Sequence, residues 1–379
     1  MARVLLWSNA FWPLIGGVEV LGEKLACELR ARGHEFAVIT SRSSNLPEFE
    51  IHNGVAIHRL PMLEALASRN IDSWLDIRMR VGKIKREFKP QIVWAYLLQL
   101  DCMFHLMTEQ AHAAPTLATV HGAFPDGVLH AGSSVGELIK RAAWLTSCSH
   151  HTMHSTLEQF PEVRSHSSVV WNGLDMPTAI PTPLPFDPPR LLCLGRIGNK
   201  EEKGFDLAID TMPTVLDRFP KARLTIAGDG RGRAELEAHA AHAGVGHVVD
   251  FPGWVHPNRI ADLINEATVV LMPSRVAEGF GLAALQAQQM ARPVVASRVG
   301  GVPEVVLDNE TGLLVDANSS VALADAILSL LSSPERAMLL GAAGRTRAER
   351  EFTFQTHADS YDTLLTSMAR TPSVAGVVA

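Results

Sequence analysis

The 379-residue sequence has only four cysteines, Cys27, Cys102, Cys148 and Cys193, widely spaced and without a CxxC pair. That scarcity argues against a disulfide scaffold and fits a reducing cytoplasm. Positive charge is also short: 34 Lys and Arg face 40 Asp and Glu, a formal charge of −6. With no global positive field to release counterions from a polyanion, a nucleic-acid partner is excluded. Long apolar runs are missing as well; none reaches the roughly 18 residues that a spanning helix needs. The opening Arg3–Trp7 run is too short for a signal-peptide core. A soluble cytoplasmic chain is therefore expected.

What the sequence does have is length, a 47% hydrophobic composition and alternation. A chain of this size outgrows one hydrophobic core, so two domains are expected. The first 40 residues read as a strand (Val4–Trp7), a glycine break (Gly16-Gly17), a helix (Glu19–Arg32) and a β-branched strand (Phe36–Thr40). A helical stripe at Trp74, Ile77, Val81, Ile84 and Phe88 follows, then strands at Ile92–Tyr96 and Leu117–Val120. Strands that alternate with helices need right-handed crossovers, which give a parallel sheet covered on both faces. Six prolines between Met176 and Pro189 deny both helix and central strand and predict an interdomain linker. A second alternating series runs from Leu191–Leu194 through Val294–Ala296. The expected layout is an N-terminal domain over 1–175, a linker over 176–189 and a C-terminal domain over 190–355. A terminal helix within 356–379 is expected to return to the first domain, ahead of a frayed tail at Ser373–Ala379. The fold class is α/β, with two Rossmann-like domains whose parallel sheets face across a cleft. Ligands are expected outside the carboxyl ends of the strands.

The sharpest chemical signal is Ser274-Arg-Val-Ala-Glu278-Gly-Phe-Gly-Leu282, directly after an apolar strand at Val269–Met272. Gly279 and Gly281 keep the turn bare, and amides from Phe280 onward open a helix whose N-terminus suits a phosphate. Glu278 is placed to accept hydrogen bonds from sugar hydroxyls. Here the sequence resembles glycosyltransferase family 4, whose signature is a Glu, seven residues and a second Glu. Gln286 departs from that pattern at the second acidic position; it accepts hydrogen bonds but carries no charge.

The resemblance runs over nearly the whole chain. It implies a retaining, metal-independent transferase of GT-B fold, with a nucleotide sugar as substrate, an acceptor hydroxyl and no cofactor. By the same resemblance Glu278, Gly279 and Phe280 hold the donor sugar, and His121 contacts it near the anomeric centre. Arg196, Lys203, Gly17, Gly281 and Leu282 take the diphosphate. Gln286, Val255 and Gly230 take the nucleoside, with a UDP-sugar expected ahead of a GDP-sugar. Gly16, Gly17 and Glu19 form the acceptor-side loop, while Asn172-Gly-Leu-Asp175 is read as a structural turn. Variable loops at Arg42–Glu50 and Phe124–Ser134 are expected to shape the acceptor pocket. No Asp-x-Asp pair is present to hold a metal.

His150, His151 and His154 invite a zinc reading, but without an HExxH glutamate they read as a solvated helix start. Gly228-Asp-Gly230 lacks the third glycine of a dinucleotide fingerprint, which speaks against NAD. The basic run Arg78–Lys89 reads as a solvated flank beside the apolar stripe, the alternative being peripheral contact with anionic lipid at the inner face of a membrane. Two rival functions remain: a nucleotide-sugar epimerase, and a catalytically weak nucleotide-sugar-binding subunit suggested by Gln286.

Overall fold

The computed structural model describes residues 1–14, 16–42, 45–68, 70–122, 129–130, 132–198 and 202–370. The chain divides into two compact units, Met1–Trp171 with Gln355–Ala379, and Asn172–Phe354.

The first unit carries β1 (Arg3–Ser8), β2 (Glu35–Ser41), β3 (Phe49–His52), β4 (Val55–Leu60), β5 (Ile92–Leu97), β6 (Thr116–Val120), β7 (Trp144–Ser147) and β8 (Ser167–Val169). Their order in the sheet is β3-β4-β2-β1-β5-β6-β7-β8. Neighbours are parallel except β3 and β4, which form an antiparallel hairpin at the edge. Its turn is Asn53-Gly54, both at positive φ, the pair that two-residue hairpin turns favour. The helix Gly17–Ala31 follows β1 and buries Leu21, Leu25 and Leu29, four apart on one face.

Helix Ile71–Phe88 starts where Asn70 accepts a hydrogen bond from the Asp72 amide and ends at Lys89 in left-handed geometry. Ile77, Val81 and Ile84 face the core, as their spacing predicts. The basic flank needs one correction: Arg78, Lys83 and Arg86 are exposed, but Lys85 is fully buried. Lys85 stands four residues after Val81 and eight after Ile77, so the helical period carries it inward with them. The helix Phe354–Arg370 closes this unit, with Ala358, Tyr361 and Leu365 buried. His34 and Arg32 bind it through Asp362 and Asp359. Its continuation, including the expected tail Ser373–Ala379, lies outside the described residues, as do parts of the loops Arg42–Glu50 and Phe124–Ser134.

The second unit carries β9 (Arg190–Leu194), β10 (Arg223–Ala227), β11 (Val249–Gly253), β12 (Val269–Met272), β13 (Val294–Ser297) and β14 (Gly312–Val315). All are parallel, in the order β11-β10-β9-β12-β13-β14. Strand order reverses between β9 and β12, the point at which such sheets open a crevice.

The first stretch of the first unit runs to Trp171, where residue 175 was expected, and the proline-rich segment read as a linker is grouped with the second unit. Leu184 and Phe186 pack on that unit's core. Prolines lack amide donors, so the carbonyls of this strap need donors from elsewhere. Asn265 donates to Ile180 O, Thr268 to Pro185 O, and Arg292 to Thr182 O and Oγ1. Arg292 is 1% exposed and also donates to Ile264 O and Asn265 O. Burial lowers its guanidinium to about 10, which still leaves it charged at neutral pH. Asn172–Asp175 instead pairs with the returning chain, Leu174 N donating to Phe352 O and Phe354 N to Leu174 O.

We expect Arg292→Met to strand these carbonyls and lower the unfolding free energy by about 3 kcal/mol. Urea denaturation followed by circular dichroism measures it.

Candidate active site

In the second unit the loops after β9 and β12 are locked together before any side chain meets. Gly204 has φ 63°, and a Cβ there would sit 1.9 Å from Pro273 O. Only glycine lets the β9 loop come this close to the end of β12. Arg275 N donates to Glu202 O at 3.2 Å, and the Arg275 guanidinium meets the buried Asp206 carboxylate at 2.7 Å. These contacts deliver Lys203 to Glu278: Nζ lies 2.7 Å from Oε1.

Glu278 is held on three sides. Oε1 accepts from Lys203 and, at 2.5 Å, from Ser274 Oγ. Its carbonyl accepts from Gly301 N at 2.8 Å, and a Cβ on Gly300 (φ 55°) would stand 2.1 Å from that same carbonyl oxygen. The two side chains are 14% and 25% exposed, so the pair is more shielded than a surface salt bridge. Oε2 receives no hydrogen bond from a described residue and remains open as an acceptor. Lys203 has two further N–H donors that are likewise unused among the described residues.

Helix Leu282–Gln289 begins at Gly281 (φ 105°) with no side chain capping its first amides, which leaves N–H groups and the positive end of the dipole to an anion. Phe280 is more restricted than expected. Its side chain is 3% exposed and packs edge-on against Phe352, so only its backbone is available to a ligand. Gln288 and Gln289 are spent on the fold, donating to Val305 O and Thr311, and to Leu174 O and Asp175 O. Half-buried Gln286 takes no part in that network.

The loops beyond β9, β10 and β11 continue the ladder, with Gly195 N donating to Ala227 O, Ile197 N to Asp229 O and Gly228 N to Gly253 O. Gly230 has φ 147°, and a Cβ there would be 2.1 Å from Ile197 O, so this glycine sets how closely the Arg196 loop packs. Arg196 is exposed and pairs with no described carboxylate. Val255 is half-buried just past β11. Arg196, Lys203, Glu278, Gly230 and Val255 thus share the carboxyl edge of one sheet.

The first unit gathers its own set at the carboxyl ends of β1, β5 and β6. Gly16 precedes helix Gly17–Ala31 without a side-chain cap, and a Cβ on it would strike the Glu19 carboxylate at 2.2 Å. Tyr96 packs on Gly22 one turn further along that helix. The His121 ring lies 4.5 Å from that of Tyr96. Among the described residues neither buried His121 nitrogen nor the buried Tyr96 hydroxyl has a hydrogen-bond partner, a deficit that marks a place for a ligand or water. Burial, reinforced by His357, pushes His121 down to about 3. It is therefore a neutral imidazole with one donor and one acceptor at physiological pH.

His150, His151 and His154 are exposed on helix His150–Gln159, which Ser149 caps through the Thr152 amide. Among the described residues no cluster of three His, Cys, Asp or Glu is arranged to hold a metal ion. Ser274, Gly300-Gly301 and Tyr96 were not anticipated from sequence. For the first two a signal existed: a serine four residues before Glu278, and a second glycine pair just after an apolar strand.

Gly300 and Gly244 both have positive φ, but a Cβ on Gly244 meets nothing within 4 Å. Gly300→Ala should therefore cost about 1–3 kcal/mol more than Gly244→Ala, the difference being the clash with Glu278. Paired urea melts measure it.

The sequence matches the family models described as "Glycosyl transferases group 1" over residues 188–333 and "Glycosyltransferase Family 4" over residues 15–176. It is 28% identical to a GDP-mannose-dependent alpha-(1-6)-phosphatidylinositol monomannoside mannosyltransferase of Mycobacterium tuberculosis, over 94% of this chain and 96% of that protein. The fold is similar to that of sucrose-phosphate synthase from Thermosynechococcus elongatus, with a TM-score of 0.83, 22% identity and coverage of 97% and 99% of the two chains. It is also similar to Anabaena HepE solved with UDP-glucose, at a TM-score of 0.78, 18% identity and coverage of 97% and 100%. With family models matching both units and these architectures shared, the chain belongs to glycosyltransferase family 4 and has the two parallel-sheet domains of the GT-B fold.

Proposed function

We propose that this glycosyltransferase moves a sugar from a nucleoside-diphosphate sugar to an acceptor hydroxyl with retention of anomeric configuration, using neither metal ion nor cofactor. The observation that carries the reading is the divided carboxylate of Glu278: Oε1 is fixed by Lys203 and Ser274, and Oε2 is open. A carboxylate aimed by two donors and free on one side accepts a sugar hydroxyl at little reorganisation cost.

Negative charge develops on the diphosphate as the anomeric bond breaks. Lys203 meets it with the two donors that no described residue uses, Arg196 with a guanidinium that pairs with no described carboxylate, and the Gly281 helix start with its uncapped amides. Those groups supply the stabilisation that a metal provides elsewhere. The acceptor oxygen attacks from the leaving-group face, and its proton passes to the departing phosphate oxygen. Neutral His121 donates to or accepts from a sugar hydroxyl. Gln286 takes the ribose through its amide, with Val255 and Gly230 on the nucleoside side. A UDP-sugar is the first donor to try and a GDP-sugar the second; the similar proteins supply one of each.

Peripheral contact with anionic lipid through Arg78–Lys89 belongs to the same proposal. Ile71, Leu75 and Met79, four apart and exposed, adjoin Arg78, Lys83 and Arg86, the composition of an interfacial helix face. No helix among the described residues is long and apolar enough to cross a membrane. The chain should float with vesicles containing phosphatidylglycerol, and Arg78→Glu with Arg86→Glu should release it; equal flotation of both would remove this part.

Glu278→Ala is expected to abolish transfer while nucleotide binding stays within about tenfold, because the diphosphate groups are untouched. Radiolabelled-sugar transfer and calorimetry with the nucleotide report the two quantities, and near wild-type transfer would sink the reading. Incubation with donor alone separates the rivals: an epimerase yields an epimer without released nucleotide, and a binding subunit yields neither.

A further inference from the structure

At the opposite, amino-terminal ends of β5 and β6, the first unit contains a cavity of about 160 Å³. One water needs about 10–15 Å³ on this measure, so the space admits a polyatomic ligand. Its floor is buried and polar, formed by Lys85, His105 and Thr116; Gln110, Ala113 and Arg141 are exposed at its rim.

The protons on this floor can be counted. As an ammonium Lys85 has no acceptor, so Nζ donates to His105 Nδ1 at 2.8 Å and to His105 O at 3.1 Å. Because Nδ1 accepts, His105 carries its proton on Nε2, which donates to Thr116 Oγ1 at 3.0 Å. Lys85 then keeps one N–H and Thr116 its hydroxyl hydrogen, both uncommitted among the described residues. The floor therefore offers two free donors. His112 Nε2 donates to Pro90 O, and the Arg141 guanidinium at the rim pairs with the Glu109 carboxylate at 3.2 Å and the Glu137 carboxylate at 3.6 Å. A buried amine that served packing alone would be replaced at no loss by an apolar side chain.

We propose that this cavity binds a small oxyanion of the phosphate type, held by the ammonium of Lys85 and the hydroxyl of Thr116, with Arg141 at the mouth. The site is separate from the residues assigned to transfer and does not rest on that assignment. Burial holds Lys85 at about 7, with Glu109 opposing the shift, and His105 is held well below its ordinary value by burial and by Lys85. The anion binds the protonated amine, so affinity is full below about pH 7 and falls about tenfold per unit above it.

Sulfate keeps its charge across this range and is the probe. Calorimetry on the full chain at pH 6.5 should show sulfate binding that Lys85→Met weakens at least tenfold and Thr116→Val several-fold, while Lys203→Ala retains it. Binding at pH 8.5 should be at least tenfold weaker than at pH 6.5. Unchanged affinity in a folded Lys85→Met or Thr116→Val chain would overturn the proposal. So would loss of all sulfate binding in Lys203→Ala, which would place the anion at the transfer site instead.

Discussion

The ion pair between Lys203 and Glu278 is the constraint on which the rest of the second unit turns. The partners are 75 residues apart, and neither would reach the other if the loops after β9 and β12 were merely neighbours. Gly204 brings the first loop against Pro273, Gly300 makes room for the backbone of Glu278, and Arg275 with Asp206 ties the underside. The sheet order explains the location, because β9 and β12 flank the reversal of strand order. The sequence spends glycines on backbone approach so that one carboxylate oxygen is fixed and the other left open. That division makes Glu278 more than a solvated acid at a turn.

The first unit uses another device, burial without partners. The His121 nitrogens and the Tyr96 hydroxyl sit at strand ends without a partner among the described residues, and burial keeps the imidazole neutral. At the far end of the same sheet charged Lys85 shows the opposite arrangement: its donors are committed through His105 to Thr116, and one hydrogen on each of Lys85 and Thr116 is uncommitted among the described residues beside the cavity. Both places put polar groups where only a ligand or water completes them, and they lie at opposite ends of the strands.

Much of this was legible in the sequence. Apolar strands alternating with amphipathic helices fix a parallel sheet, and the Glu278 segment carries the site because its glycines and carboxylate must be contiguous. What escaped is long-range. Prolines rule out helix locally but do not say where their carbonyls find donors; that depends on Arg292, about a hundred residues away. Gly300 reads as an ordinary turn glycine until Glu278 is seen against it. Lys85 reads as one of six cations in a row, although its spacing from Ile77 and Val81 already placed it inside. The Asn53-Gly54 hairpin was visible as a turn signal, masked by the expectation of purely parallel strands.

The measurement closest to the centre of this account is a crystal structure of the chain with an intact UDP-sugar, or a GDP-sugar should UDP fail to bind. The account predicts the diphosphate on Arg196, Lys203 and the amides after Gly281, a sugar hydroxyl donating to Glu278 Oε2, and the ribose within hydrogen-bonding reach of Gln286. A nucleotide sugar seated elsewhere, or one bound here with Glu278 turned away from the sugar, would contradict it.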